Sequence, residues 1–259
     1  MHLKIIVTVS LFLCLPTVAL VNFCDPLIPD DCRNSFPGMA DELIMAEIAV
    51  DHVFVPKGID SNDMANVIIF GWSPSPCYES VQGKAVMLDN KIKVSAQAFM
   101  RPNRICLPLA TPYIATIDLG ILKKGDFLVQ FQKEKASFID AGILSVEAPK
   151  SDTADNFVYA HVERVEASED ASKITLSGRN PSDCFELDRI EMIFNDKDTY
   201  AVLPIMKQVK ADCPRKMVPF RYDIDIAKEK NAERILWHVR SLGGKAINVV
   251  WDYQHGFHY

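Results

Sequence analysis

The sequence predicts an all-β protein that contains two antiparallel β-sandwiches related by an internal repeat. A motif of the form Gly-x-x-Pro-x-x-Cys-aromatic-Glu begins at Gly71 and occurs again at Gly178, 107 residues later. In each copy a second cysteine follows the motif cysteine after 29 residues, and a proline before an aromatic residue follows after six more. Each copy also contains about seven short β-rich segments in roughly 105 residues, with turn-forming residues between them.

The N-terminus predicts export. Residues 1–19 combine an early lysine, an apolar run and a small-x-small cleavage site at Thr17-Val18-Ala19, which is typical of a secretory signal peptide. The domains expected after it are a disulfide-stapled arm at 20–41, the first sandwich at 42–148, a linker at 149–156, and the second sandwich with an aromatic and histidine tail at 157–259.

The segment that opens each sandwich is predicted as one strand. Residues 42–55 fit both helical spacing and strand alternation, whereas the counterpart at 157–165 is short and has Val158, Ala160 and Val162 on one side. The second copy therefore favours a strand for both segments. A loop is expected next, at 56–63 in the first copy and at 167–172 in the second.

β-branched and aromatic residues mark the middle strands of each copy. Asp89-Asn90 and Asn195-Asp196 are turn formers that separate two of them. The predicted strands are 67–70, 86–88, 92–99 and 113–119 in the first copy, and 174–177, 190–194, 200–206 and 220–226 in the second.

Each copy closes with a regular alternation of the kind that marks a half-buried strand. The alternating residues are Phe127, Val129 and Phe131 in the first copy and Ile235, Trp237 and Val239 in the second. Gly243-Gly244 predicts a tight hairpin turn into a last strand at 247–251.

Six cysteines remain once the signal peptide, which carries Cys14, is removed. Six cysteines allow 15 pairings in an oxidising compartment, and the equal spacing in the two copies selects one of them. The predicted disulfides are Cys24 with Cys32, Cys77 with Cys106, and Cys184 with Cys213. A bridge that closes a loop of about 30 residues stabilises a domain by roughly 3.5 kcal/mol in the chain-entropy model.

The composition is that of an ordinary globular protein, with 49% apolar residues, 24% charged residues and a net charge of -6. Basic residues form no run longer than two, so we expect no nucleic-acid partner. No stretch after the signal approaches the roughly 18 apolar residues of a membrane span, so the protein is not expected to be membrane-embedded. The predicted location is secreted or periplasmic.

One segment resembles a known class of domain. Leu119-Gly120-Ile121-Leu122-Lys123-Lys124-Gly125, followed by the aromatic strand at 127–129, is similar to the closing turn and strand of bacterial secreted immunoglobulin-like sandwiches. The resemblance covers about a dozen residues and implies an immunoglobulin-like style of sandwich. The second copy lacks both glycines in this stretch, and no activity is implied.

Trp72 is predicted as a binding anchor because it lies beside two prolines in a loop that the second copy does not match. Leu27 and Ile28 lie between Cys24 and Cys32, on a constrained loop that serves either as a binding element or as a clamp for the N-terminus.

His255 and His258 are the nearest approach to a metal site, since two imidazoles three residues apart can chelate a divalent ion together with Asp252. The alternative is a solvated tail. No catalytic residues and no cofactor are predicted, because the sequence carries none of the common serine, phosphate-loop or zinc-helix motifs.

The leading functional hypothesis is a non-enzymatic exported protein whose two disulfide-stapled sandwiches present loops to a protein or glycan partner. One version of it is protease inhibition by the loop between Cys24 and Cys32. The alternatives are a metal-dependent or other hydrolase on a β scaffold, and a structural component of the cell envelope.

Overall fold

The computed structural model describes residues 43–102, 105–134, 137–152, 155–226 and 232–258, which belong to one compact unit, Glu42–Tyr259. Within these ranges the chain forms β-strands and no helix, which confirms the all-β prediction. The predicted signal peptide and arm lie outside the described residues, and so do Cys24, Leu27, Ile28 and Cys32. The side chains of Glu134, Phe257 and His258 also lie outside this description.

The first half of the unit contains nine strands in two sheets. A six-stranded sheet has the order β1-β6-β8-β9-β3, with β5 also paired to β6, and a three-stranded sheet has the order β2-β4-β7. The strands are β1 (Ile44–Ile48), β2 (His52–Phe54), β3 (Ile59–Asp60), β4 (Met64–Ser73), β5 (Tyr78–Leu88), β6 (Lys91–Met100), β7 (Thr111–Ile121), β8 (Gly125–Glu134) and β9 (Ser137–Glu147).

The second half also contains a six-stranded and a three-stranded sheet. The larger sheet has the order β10-β14-β16-β17-β18, with β13 also paired to β14, and the smaller has the order β11-β12-β15. The strands are β10 (Val158–Tyr159), β11 (Val162–Ala167), β12 (Lys173–Asn180), β13 (Phe185–Phe194), β14 (Thr199–Gln208), β15 (Val218–Asp225), β16 (Arg234–Ser241), β17 (Lys245–Asp252) and β18 (Phe257–His258).

Most strand pairings follow the same order in the two halves, except at the end strands, where β3 pairs with β9 in parallel and β18 pairs with β17 antiparallel. In the larger sheets β5 pairs with β6 as β13 pairs with β14, and the last hairpin is β8-β9 or β16-β17. The central strand runs parallel to the first strand of that hairpin, β6 to β8 and β14 to β16. In the smaller sheets β2-β4-β7 corresponds to β11-β12-β15.

An apolar core fills the space between the two sheets of each half. On β6 the inward residues Ile92, Val94, Ala96 and Ala98 are all buried, as strand alternation requires. The alternating residues predicted for β8 and β16 also face these cores, and Trp237 is fully buried in the second one. The sequence pattern therefore identified the inward side of these strands correctly.

The predicted single opening strand is wrong in both halves. Residues 42–55 form β1 and β2, which pair with β6 and β4 and so belong to different sheets. Residues 157–165 divide in the same way, into β10 on β14 and β11 on β12. The chain crosses from one sheet to the other at the break, where the Tyr113 hydroxyl donates to the carbonyl oxygen of Ala49 in the first half.

The repeated glycine has a packing reason at this crossing. A Cβ on Gly71 would lie 2.7 Å from the carbonyl oxygen of Ala49 and 2.6 Å from the Tyr113 hydroxyl, which is closer than real Cβ atoms approach. A Cβ on Gly178 would overlap the carbonyl oxygen of His161 in the same way. Only glycine lets the crossing backbone approach the strand so closely.

The two described disulfides join the pairs that the repeat spacing predicts. Cys77 is bonded to Cys106 with a Cα separation of 6.0 Å, and Cys184 to Cys213 with a separation of 5.4 Å. Both bridges fit an oxidising environment. The backbone N–H of each motif cysteine donates a hydrogen bond to the hydroxyl of the serine two residues before it. The N to Oγ distance is 3.4 Å in the first half and 3.1 Å in the second.

The predicted turns are confirmed. Gly243 and Gly244 have φ of 77° and 71°, and together with Leu242 they form the three-residue hairpin loop that connects β16 to β17. Asp89 and Asp196 have φ of 52° and 68° between β5 and β6 and between β13 and β14. Short acidic and amide side chains tolerate this conformation better than other residues do.

Candidate functional site

An apolar interface joins the two halves. Phe54, Ile68 and Phe70 project from β2 and β4 and are 0% exposed, as are Leu236 and Val250 on β16 and β17. These residues form one cluster. The outer face of the small sheet of the first half is therefore packed against the outer face of the large sheet of the second half.

A buried ion network crosses the same interface. Nη2 of Arg240 donates to Oδ1 of Asp63 at 2.6 Å and to Oδ1 of Asp155 at 2.8 Å, and Nη1 donates to Oδ2 of Asp63 at 3.2 Å. Burial disfavours the charged guanidinium, but the hydrogen bonds and charge of Asp63 outweigh it, so the pKa of Arg240 is raised. Burial also raises the pKa of the nearby Tyr159 to about 12. These groups are held in one protonation state, as suits a structural role.

A histidine and a carboxylate meet at a second point of the interface. Nε2 of His52 lies 2.8 Å from Oδ2 of Asp198, whose Oδ1 accepts from the Thr199 hydroxyl at 2.9 Å and from Nδ2 of Asn195 at 3.1 Å. Burial works against ionisation, yet these bonds, led by that of His52, lower the pKa of Asp198. Such a pair can orient a general base. Here it links β2 to the turn before β14 and thereby ties the halves together.

A cavity of about 480 Å³ opens beside the Arg240 network. Its lining includes Lys57, Lys150, Glu147 and Glu191, so both signs of charge are present. Ile59, Phe157 and Ile193 add an apolar wall. Asp60 and Asp63 also line the cavity, so its acidic residues outnumber its basic ones four to two.

The predicted anchor Trp72 lies at the edge of the interface. Its ring is 6.0 Å from that of Phe70 in an edge-on arrangement and 5.4 Å from that of His255. Trp72 is half-buried by these contacts. Its binding role remains a prediction, and the geometry adds a contact between the first half and the C-terminal segment of the second.

The structure places one of the two predicted metal ligands in an ion pair. Nδ1 of His255 lies 3.1 Å from Oδ2 of the buried Asp252, which also accepts a hydrogen bond from Nε of Arg234 at 2.8 Å. The described residues contain no group of three or more His, Cys, Asp or Glu side chains that could hold a metal ion. The metal role of His255 and His258 therefore remains a prediction.

The two most exposed large apolar side chains of the described residues, those of Ile105 and Leu107, lie on the stapled loop, defined here as residues 105–110. Ile105, Leu107 and Leu109 are 103%, 72% and 62% exposed. The Cys77–Cys106 disulfide fixes one end of the loop, and the backbone N–H of Leu109 donates to the carbonyl oxygen of Leu107 at 2.8 Å. The loop leads directly into β7. Three aliphatic side chains are thus held outward on a constrained backbone.

The corresponding loop of the second half is polar. It reads Asp-Cys-Pro-Arg-Lys-Met at 212–217, where the first half has Ile-Cys-Leu-Pro-Leu-Ala. Lys210 and Lys216 place their amines 3.1 and 3.7 Å from Oδ2 of Asp183. Each loop is held by a disulfide of its own, but the side chains that the two loops expose differ in polarity.

The sequence analysis did not identify Ile105, Leu107 and Leu109 as surface residues. Their alternation around Cys106 is also what a buried strand would show. The signal that distinguishes them is Pro108, which cannot donate to a strand ladder and lies two residues after a cysteine that is bonded to Cys77, directly before β5. Asp63 and Arg240 gave no such signal, because their 177-residue separation hides the contact.

Comparison with family models, with curated proteins and with solved structures finds no match for this chain. Among the described residues no helix is long and apolar enough to cross a membrane. Function is therefore argued from the residues and contacts of the chain itself.

Proposed function

We propose that this chain is an exported, non-enzymatic interaction protein in which two immunoglobulin-like sandwiches, related by an internal repeat, hold a binding loop for a protein partner. The repeat is supported by the common order of strand pairings and by the equal spacing of the two disulfides. Export to an extracellular or periplasmic compartment is supported by the signal-like N-terminus and by these two disulfides.

The observation that carries the proposal is the exposure of Ile105, Leu107 and Leu109 on the stapled loop. Burial of an aliphatic side chain contributes about 1.5 to 3 kcal/mol, so three of them supply a large part of the free energy of a specific complex. The disulfide lowers the conformational entropy that the loop loses on binding. Aliphatic side chains favour a protein partner over a glycan, because glycans are bound by aromatic rings and polar groups.

The difference between the two loops supports a division of roles. The loop 105–110 of the first half presents three aliphatic side chains beside its disulfide. The loop 212–217 of the second half presents Arg215 and Lys216, with Met217 as its exposed apolar side chain. The second half also supplies the surface that covers Phe54 and Phe70 of the first half. Its role in the proposal is to hold the first half, and with it the stapled loop, in a fixed orientation.

The proposal is tested by site-specific cross-linking in the native extracellular or periplasmic fluid. A photo-activatable amino acid replaces Leu107 in the full-length exported protein, and covalent adducts are identified by mass spectrometry. We expect one discrete protein adduct, reduced at least tenfold when Leu109→Asp is added, because a buried carboxylate without a partner opposes binding.

The matched control places the same amino acid at Met217, which is 53% exposed on the loop of the second half. Position 217 should give no adduct with the same protein. Equal adducts from positions 107 and 217, or an adduct insensitive to Leu109→Asp in a variant with unchanged thermal stability, would show that the stapled loop is not the binding element.

A further inference from the structure

A second unpartnered surface lies on the outer face of the large sheet of the first half. The register places Leu88, Lys91, Leu128 and Ile143 in one row across β5, β6, β8 and β9. Leu88 is 54% exposed and Ile143 is 58% exposed, and Val86, in the next row on β5, is 57% exposed. A shallow groove of about 740 Å³ lies along this face. We call these four strands and their outward side chains the free face.

The equivalent face of the second half is covered. Leu128 pairs with Lys91 and Ile143 as Leu236 pairs with Thr199 and Val250. Leu236 and Val250 are 0% exposed because the small sheet of the first half packs on them. The same position in the fold is thus a sheet-packing surface in the second half, whereas in the first half no sheet among the described residues covers it.

The charges on the free face are divided between its two sides. Lys91 and Lys93 lie on β6, whereas Asp126 lies on β8 and Asp140 on β9. The amine of Lys93 also lies 4.6 Å from the centre of the Phe138 ring. The lysines are therefore anchored on one side of the face and the aspartates on the other, although the Lys93 side chain reaches across to Phe138 on β9. The aliphatic row runs across both sides.

We propose that the free face binds the free face of a second chain of this protein, with a two-fold axis that runs along the strands between β6 and β8. This operation places β5 and β6 of one chain over β9 and β8 of the other. Leu88 then meets Ile143 of the second chain, and Lys91 and Lys93 lie over the side that carries Asp126 and Asp140. Each contact occurs twice, as in any isologous dimer.

The geometry suits two packed sheets. Strands that remain parallel across the axis give the aligned class of sheet packing, at a separation of about 10 Å. The two hairpins lie side by side over about seven residues, because Lys91 at the start of β6 pairs with Leu128, the fourth residue of β8. With about 4.8 Å between strands and about 3.3 Å per residue, this part of the four strands covers about 440 Å² on each chain. The two chains together bury about 900 Å², which is below the usual range of stable interfaces, so we expect a weak dimer that forms at high concentration.

Head-to-tail stacking would place the free face on the outer face of the small sheet in the second half of another chain, and that face does not suit it. The outer face of the small sheet of the second half carries Glu163 paired with Arg179 at 3.0 Å, and Arg221 beside Asp223 at 3.8 Å. This charged face differs from the Phe54 and Phe70 surface that covers Leu236. A second free face is the better match for the free face.

The test is sedimentation velocity on the full-length exported protein over a wide range of concentration. We expect a reversible change from monomer to dimer as concentration rises. Ile143→Lys, at an exposed position, should raise the dissociation constant at least tenfold without changing the melting temperature. Asp225→Lys is the control, because its side chain is 94% exposed on the outer face of the second half and should have no effect.

Charge reversal distinguishes this geometry from any other dimer. Lys91→Asp makes the free face acidic and Asp126→Lys makes it basic, so each variant alone should dimerise at least tenfold more weakly. An equimolar mixture of the two should recover dimers, because the axis places Lys91 of one chain over the Asp126 side of the other.

A wild-type protein that stays monomeric at the highest concentration overturns the proposal, and so does a monomer that instead binds a different protein through Ile143. A dimer that is unaffected by Ile143→Lys, or charge variants that do not recover on mixing, would show that the dimer uses another surface.

Discussion

Acidification from pH 7 to pH 5 should destabilise the folded protein through His238. This side chain is 2% exposed on β16, and its Nδ1 lies 2.8 Å from Oδ1 of Asn248. Burial, with a smaller contribution from the charge of Arg240, lowers the pKa of His238 to about 4, although Asn248 and Asp63 act in the opposite direction. The imidazole is therefore neutral in the folded protein at pH 5.

The sign and size of the effect follow from proton linkage. Below pH 6.5 the unfolded chain binds a proton on His238, whereas the folded protein does not until about pH 4. Stability is thus fully present above pH 6.5 and is lost as the pH falls towards 4. Between pH 7 and pH 5 the difference in pKa corresponds to a loss of about 2 kcal/mol in the free energy of unfolding. The pKa values of Asp198 and Asp252 are lowered, so their contributions are lost only in more acidic solution.

The assay is urea denaturation followed by tryptophan fluorescence at pH 7 and at pH 5, on the wild type and on His238→Gln. The variant is expected to be less stable at both values, but its loss between them should be about 2 kcal/mol smaller than that of the wild type. Groups that titrate in both proteins cancel in this comparison. An equal loss in the two proteins would refute the assignment of the acid sensitivity to His238.

Three further substitutions test the packing within the second half and between the two halves, each by its free energy of unfolding. Gly178→Ala should cost about 3 kcal/mol because the added Cβ overlaps the crossing backbone at His161. The control is Ser177→Ala, at the neighbouring position on β12, and an equal cost for the two variants would contradict the overlap. Arg240→Met should cost about 3 to 5 kcal/mol because it leaves the carboxylate of Asp63 buried without its cation. Adding Asp63→Leu should recover part of this loss. A double variant that is no more stable than Arg240→Met alone would argue against the ion pair. Leu236→Ala should cost about 2 to 5 kcal/mol as a cavity in the interface, and a loss below about 1 kcal/mol would mean that the halves are not held there.

The sequence alone determined the features that depend on short-range chemistry. The Gly243-Gly244 turn, the positive φ of Asp89 and Asp196, and the inward residues of β8 and β16 follow from local preferences and strand alternation. The pairing of Cys77 with Cys106 and of Cys184 with Cys213 was predicted from the equal spacing of 29 residues in the two occurrences of the motif.

The opening segments of the two halves, in contrast, depend on long-range packing. Residues 42–55 have the composition of one strand, but the chain leaves one sheet after Ile48 and joins the other at His52. The change of sheet depends on which edges of β4 and β6 are free to pair. The residues of the segment itself carry no information about those edges. The tight approach at Gly71 is the local trace of the crossing, and it can be interpreted only once the partner strand is known.

Only the tertiary structure decided which outward side chains are covered. Leu128 and Leu236 occupy the same place in their strands and have the same chemistry, yet Leu236 is fully buried and Leu128 is not. Alternation shows which side chains point away from the core of their own half, but burial on the other side depends on a sheet that is distant in sequence. The sequence thus determined the two cores and their disulfides, and the packing of one half on the other determined which surfaces remain for partners.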